Sequence, residues 1–146
     1  MKKKLMILVP VLLVVLGGAY KFALAKPAPV HKKIDGEVYV LPKDFLINLT
    51  DGKFAKLGVG LVFDEGFAAA PAGAAEGGAA PPTGYGVLSQ EAVVRDIVTD
   101  VVTDASANAL TSRKGREEIK AEILKRLKSQ TDVKVHEVLL TDVAVQ

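Results

Sequence analysis

An uncharged segment near the N-terminus constrains this chain more than any other feature of its sequence. No charged side chain occurs over the sixteen residues Leu5–Tyr20, and apolar character resumes after Lys21 as far as Ala25. Twenty helical residues span about 30 Å, which is the thickness of the hydrocarbon core of a bilayer. The pattern predicts a transmembrane anchor over residues 5–25, preceded by a cytoplasmic tail of residues 1–4.

The same segment also satisfies the pattern of a cleaved secretory signal. Three lysines precede the apolar run, and Ala23-Leu24-Ala25 supplies the small residues of a cleavage site. The length of the run and the nearby Lys21 favour a retained anchor, with cleavage after Ala25 as the alternative. Lysines flank the run on both sides, so the short tail, and not charge, places the N-terminus in the cytoplasm. Both interpretations export the remaining domain.

Three small residues within the predicted anchor, Gly17, Gly18 and Ala23, are candidates for a close contact with a neighbouring transmembrane helix. The alternative is that they are ordinary small residues of an anchor without a specific pairing face.

Composition narrows the function of the domain beyond the anchor. The 146-residue chain leaves room for one small domain, and it has no cysteine for disulfides, thiolate metal sites or a lipoprotein anchor. From Lys26 onward there are 15 basic and 17 acidic residues, so this part carries a net charge of −2. A nearly neutral domain lacks the basic surface that nucleic-acid binding needs.

The first half of the domain has the pattern of β-strands. Residues 26–36 contain two prolines and indicate a semi-extended linker, and residues 37–146 form the predicted domain. Asp51-Gly52 is a hairpin-turn signal. Apolar runs rich in β-branched and aromatic residues predict three strands, at Val38–Leu41, Phe45–Leu49 and Phe54–Phe63.

Residues 66–86 interrupt this pattern, because 17 of these 21 residues are Ala, Gly or Pro. Such a composition buries too little apolar surface to form a packed element, and it predicts a flexible surface loop. The alternative is a functional binding loop.

Two helices and a strand are predicted after this loop. Ser89 opens the first helix, which has a valine-rich apolar stripe, and Thr111 or Ser112 caps the second. The final strand, Val133–Val145, changes the parity of its apolar positions twice, which indicates bulges. The order of elements predicts an α+β fold in which two helices pack on one face of a mainly antiparallel sheet.

Residues that carry chemistry do not converge in the sequence. His31 and His136 have no acidic partner at metal-ligand spacing, and the aspartates at 96, 100 and 104 suit a solvated helix face. No serine lies in a nucleophile elbow, and no glycine-rich segment has the context of a phosphate loop. We therefore expect no enzymatic activity, no metal site and no cofactor.

Several short motifs occur in a fixed order along the chain. They are Leu41-Pro42 with Phe45 and Asn48-Leu49, then Val94-Arg95-Asp96, then Gly115-Arg116-Glu117 followed by Ile119–Ile123, and finally Thr141–Gln146. Together with the position of the anchor, this set resembles the FliL family of flagellar basal body-associated proteins. Residues 66–86 depart from the family pattern, because they are longer and richer in Ala and Gly than its usual link.

The resemblance implies an uncleaved single-pass anchor in the bacterial inner membrane and a periplasmic domain similar to the stomatin/prohibitin type. It implies homo-oligomeric rings around the stator units of the flagellar motor, which support rotation and swimming or swarming. The partner or oligomer surface expected on this basis is the exposed face of the second helix, with Arg116, Lys120 and Arg126, and a sheet edge. The alternatives are a soluble periplasmic binding protein released after Ala25 and a general membrane-organising scaffold.

Overall fold

A computed structural model describes residues 33–69 and 83–146. The predicted anchor, with Gly17, Gly18 and Ala23, lies outside the described residues, and so does most of the Ala/Gly/Pro-rich loop. Residues Ile34–Gln146 form one compact unit. Within the two described ranges, no helix combines the length and apolar character needed to cross a membrane.

A four-stranded antiparallel sheet forms one layer of this unit. Strand β3, the central strand, pairs with the other three. The strands are β1 (Val38–Val40), β2 (Phe45–Asn48), β3 (Phe54–Phe63) and β4 (Val135–Val145).

Strands β1 and β2 lie end to end along one edge of β3. Val40 pairs with Gly60 and Phe45 pairs with Leu57, while the N–H group of Leu41 donates to the Val59 carbonyl at 2.9 Å between the two ladders. Strand β4 pairs along the whole of β3 and must therefore occupy its other edge. The hairpin predicted at Asp51-Gly52 is confirmed, since it joins β2 to β3.

The bulges predicted in the last strand are also confirmed. The β3–β4 register shifts once between Lys56 and Gly58 and once between Val62 and Phe63. At the first shift one residue of β3, Leu57, faces two of β4, Asp142 and Val143, and Asp142 adopts a positive φ of 50°. The two shifts keep Val135, Val138, Leu140 and Val145 on the face that meets the core.

Three helices pack against the sheet, where the sequence predicted two. They are α1 (Glu91–Thr103), α2 (Ala107–Thr111) and α3 (Arg113–Gln130). Helix α2 was missed because one turn is too short to show a periodic stripe. The start predicted for α1 at Ser89 was wrong, since Gln90 is the N-cap in a left-handed conformation. Ser112, one of the two predicted caps, accepts a bond from Gly115 N–H at 3.2 Å.

The core lies between the helices and one face of the sheet. Leu57, Val59, Leu61 and Phe63 of β3 are completely buried, as their alternation predicted. The buried stripes of α1 and α3 meet them, at Val94, Ile97, Val98, Val101 and Val102 and at Ile119, Ile123 and Leu127. Valine has only moderate helix propensity, so this packing is the main stabilisation of α1.

Candidate partner surface

A shallow groove runs between α3 and β4. One part of it is lined by Arg116, Glu117 and Lys120 of α3 with Leu139 and Leu140 of β4. An adjoining part shares Glu117 and Lys120 and continues along both elements. The further lining residues of this second part are Ala121, Leu124, His136, Glu137 and Val138. The groove therefore follows β4, which pairs with no strand other than β3 among the described residues.

Two of the three predicted surface residues meet in this groove. Arg116 and Lys120 lie one turn apart on α3 and face the same side. Arg116 donates to the carbonyl oxygens of Leu110 and Thr111, at 3.0 and 3.1 Å, at the end of α2. Lys120 forms an ion pair of 2.7 Å with Glu117, and only 21% of its side chain is exposed.

The third predicted residue, Arg126, lies on the other flank of α3. It forms an ion pair of 3.0 Å with Glu122, which lines a separate groove beside α1 and α2. Hydrogen bonds from Arg126 and Lys125 lower the pKa of the Glu122 carboxyl group. The spacing of Glu122 and Arg126 in the sequence predicted a favourable pair, and the structure shows this contact. The pair does not belong to the α3–β4 groove.

Apolar side chains form the part of the groove that sequence reasoning missed. Leu124, Leu139 and Leu140 are only half-buried, although Leu124 and Leu140 pack against the core. Two consecutive leucines in a strand cannot both face the core. The Leu139-Leu140 pair in the sequence could therefore have indicated an apolar side chain outside the core. The part of the groove near Leu124 therefore offers a partner mainly apolar contact, and the part near Arg116 offers mainly polar contact.

A buried polar cluster joins β1 to α1, at the edge of the sheet opposite β4. The hydroxyl group of Tyr39 and the N–H group of Gly86 both donate to Glu91 Oε2 at 2.8 Å. Glu91 is 3% exposed, and its Oε1 has no hydrogen-bond partner among the described residues. Burial, the hydrogen bond to Glu91 and the charge of Glu91 raise the pKa of Tyr39 to about 12. This arrangement holds two elements together and keeps the tyrosine neutral.

His136 has an acidic neighbour that the sequence did not reveal. Its Nδ1 lies 3.4 Å from Asp64 Oδ1, across the end of the β3–β4 ladder. A single carboxylate and one imidazole are too few ligands for a structural metal. Among the residues that the structure describes, no group of three or more His, Cys, Asp or Glu side chains is placed to hold a metal ion.

A comparison with protein-family models decides the family. The model described as flagellar basal body-associated protein FliL matches residues 38–146, which are 109 of the 146 residues. The chain belongs to this FliL family. The match begins at the first residue of β1 and includes every strand and helix of the described unit. A comparison with curated proteins gives no match.

Membership in the FliL family confirms the resemblance that the motifs carried. It gives the chain an accessory role associated with the flagellar basal body, in a family that is not known for enzymatic activity. All four motif groups contribute residues to the core or to its margin, and Arg116 of the Gly115-Arg116-Glu117 motif also lines the α3–β4 groove.

Proposed function

We propose that this chain is a non-enzymatic, membrane-anchored accessory protein of the flagellar motor that associates with the stator units as a ring. The match of the FliL family model over residues 38–146 carries the proposal. Residues 5–25 would cross the inner membrane once, with the N-terminus in the cytoplasm and the described domain in the periplasm. In this role the chain supports rotation, and with it swimming and swarming.

A scaffold that closes into a ring needs confinement and two contact surfaces. An anchor holds the domain beside the stator and raises its effective concentration without a tight interface. Contacts between two different surfaces of identical subunits can close into a ring. We assign the α3–β4 groove, with Arg116 and Lys120 on its rim, to one of these two surfaces.

Site-specific photo-crosslinking tests the surface in the full chain at native density in the membrane. A crosslinking residue at Ala121 lies in the groove, and one at Asp100 of α1, which is exposed and lines no part of this groove, is the control. We expect Ala121 to give a ladder of multimers and adducts with stator proteins, and Asp100 to give neither. Monomers alone from both positions would count against the ring.

Two further measurements separate the alternatives. N-terminal sequencing of the mature chain distinguishes a retained anchor from cleavage, since a chain that starts at Lys26 is a released periplasmic protein. Deletion of the gene should reduce swimming and swarming, and the full chain supplied in trans should restore them. Normal swimming and swarming after deletion would favour a general membrane-organising scaffold.

A further inference from the structure

The face of the sheet that carries no helices, the outer face, has a row of exposed apolar side chains along one side. Their neighbours within each strand pack in or against the core, so these side chains point outward. The row consists of Val38 and Val40 of β1, Leu46 of β2 and Phe54 of β3, with exposed fractions of 45%, 58%, 75% and 53%, and we call it the outer rim. Of the seven large apolar side chains exposed in the described part of the chain, these are four, so exposure is concentrated here.

The middle of the outer face is already covered by the chain itself. Gly58 and Gly60 of β3 are buried, although they alternate with core residues and face outward. A Cβ atom on Gly58 would overlap Thr141 Oγ1, and one on Gly60 would touch the side chains of Leu139 at 3.5 Å and Val38 at 3.7 Å. A second sheet packed on this face would gain little contact at its centre. The exposed apolar area is therefore a row at one side, which a soft surface can take up without filling the middle.

The segment that leads from the predicted anchor into β1 crosses the outer face. Gly36 has a φ of 122°, and a Cβ atom there would lie 3.4 Å from Val62 Cγ1 and would overlap the Phe63 carbonyl oxygen. Val62 pairs with Val38 and points outward, yet it is completely buried, because this segment lies on it. Ile34, two residues before Gly36, is 42% exposed. The chain therefore enters the unit on the side of the outer face.

Few residues separate this entry from the predicted anchor. Between Ala25, the last residue of the anchor, and Ile34 there are eight residues, 26–33. Even fully extended, this connection spans only about 30 Å, which is about the diameter of a small domain. An anchored chain therefore holds the unit within about one domain diameter of the bilayer, with the tether attached on the side of the outer face. At such an effective concentration of lipid, a weak apolar contact is enough to keep this face on the membrane.

We propose that the outer rim rests on the surface of the bilayer, with its apolar side chains among the lipid headgroups. The proposal rests on the retained anchor of the proposed function. Binding of a protein surface at this interface increases with the apolar area that it buries. Strand β3 contributes one lysine to the outer face, Lys56, and this lysine is paired with Asp44 at 2.9 Å. The contact is therefore apolar in origin and needs no anionic lipid.

The proposed lipid contact and the α3–β4 groove lie at opposite edges of the sheet. Strands β1 and β2, which carry three of the four rim residues, occupy one edge of β3, and β4 occupies the other. A copy whose outer rim lies on the bilayer therefore keeps the groove open to proteins. Loss of the lipid contact leaves the groove testable by itself.

Spin-label accessibility in the full chain tests the proposal. The chain has no cysteine, so a single nitroxide can be attached at each introduced cysteine. Leu46→Cys places the label on the outer rim, Leu13→Cys places it in the predicted anchor, and Val93→Cys places it on α1, where Val93 is 41% exposed. Each labelled chain is reconstituted in phosphatidylcholine vesicles. Collisions are then measured with oxygen, which concentrates in lipid, and with a nickel chelate present in the water on both sides of the membrane.

The three labels separate the lipid contact from the anchor on which it rests. We expect the labels of Leu13→Cys and Leu46→Cys to collide mainly with oxygen, and that of Val93→Cys mainly with the nickel chelate. If Leu13→Cys meets oxygen but Leu46→Cys meets the chelate, the lipid contact is wrong and the anchor stands. Few collisions of Leu46→Cys with either reagent would show that protein, such as a second copy, covers the rim, and would also overturn the proposal. Chelate contact at Leu13→Cys would overturn the anchor itself.

A matched pair of substitutions tests the apolar origin of the contact, with the label now at Val40→Cys. Leu46→Ser should lower the ratio of lipid-bound to free domain about tenfold, and Val93→Ser should leave this ratio unchanged. Leu46 is 75% exposed, so the fold should survive its replacement, and thermal unfolding checks this. An equal ratio in all three chains would overturn the proposal. Oxygen contact that appears only when the vesicles contain phosphatidylglycerol would do the same, because it would show attraction by charge.

Discussion

The guanidinium carbon of Arg95 lies 4.3 Å from the ring centroid of Phe45, although the two residues are 50 positions apart. Arg95 Nη1 also donates to the Pro42 carbonyl oxygen at 2.6 Å. Two of the motifs noticed in the sequence, the one that contains Pro42 and Phe45 and the one that contains Arg95, therefore form a single contact. This contact holds the segment that connects β1 to β2 against α1.

Replacement of Arg95 should loosen this connection. Arg95→Ala removes the cation–π contact and a charged hydrogen bond, and we expect a loss of about 2 kcal/mol in the free energy of unfolding. Arg95→Lys should recover only part of this free energy, because an ammonium group lacks the planar set of N–H donors of a guanidinium group. Urea unfolding of the chain in micelles, followed by circular dichroism, measures both. Asp96→Ala, at an exposed neighbouring position, is the control. Equal stability of the chains with Lys and with Arg at position 95 would refute the role given to the guanidinium group.

Loss of the Tyr39 hydroxyl group should destabilise the unit by about 1–2 kcal/mol. Tyr39→Phe keeps the ring near Phe63, with which it stacks at 6.0 Å, but leaves the buried Glu91 carboxylate with one hydrogen bond fewer. Tyr85→Phe is the matched control, since Tyr85 is 40% exposed. The same urea titration applies, and an unchanged midpoint for Tyr39→Phe would show that the bond contributes nothing net.

The raised pKa of Tyr39 predicts a loss of stability in alkali. The unfolded chain releases this proton near pH 10, while the folded chain holds it to about pH 12. Tyr39 therefore contributes stability that is fully present below pH 10 and is lost as the pH rises toward 12. We expect unfolding midpoints to fall more steeply over this range in the native chain than in Tyr39→Phe. Absorbance at about 295 nm should show one tyrosine ionising later than the others; parallel curves for the two chains would exclude this origin.

Gly115→Ala should lower stability, although glycine to alanine within a helix normally raises it by up to about 1 kcal/mol. A Cβ atom at Gly115 would overlap the backbone of Ala109 in α2, which cannot move aside as a side chain would. We expect a loss of about 1–3 kcal/mol from this overlap. Lys128→Ala, at an exposed position of the same helix, should change little. A stabilised Gly115→Ala chain would mean that α2 and α3 separate at no cost.

The sequence alone determined most of the secondary structure of this protein, because each signal acts over a few residues. The alternation of β3, the Asp51-Gly52 turn and the two parity changes in β4 each follow from a period of two and from local turn chemistry. The Ser112 cap and the contact between Glu122 and Arg126 follow from helical spacing. The family was also readable from the order of short motifs.

Only the tertiary structure decided which surfaces exist. It separated Arg126 from Arg116 and Lys120, because positions on opposite flanks of α3 look alike in a list of basic residues. It brought Asp64 to His136, Arg95 to Phe45 and Tyr39 to Glu91. These contacts join residues far apart in the chain, and no local period or propensity encodes which distant segments will meet.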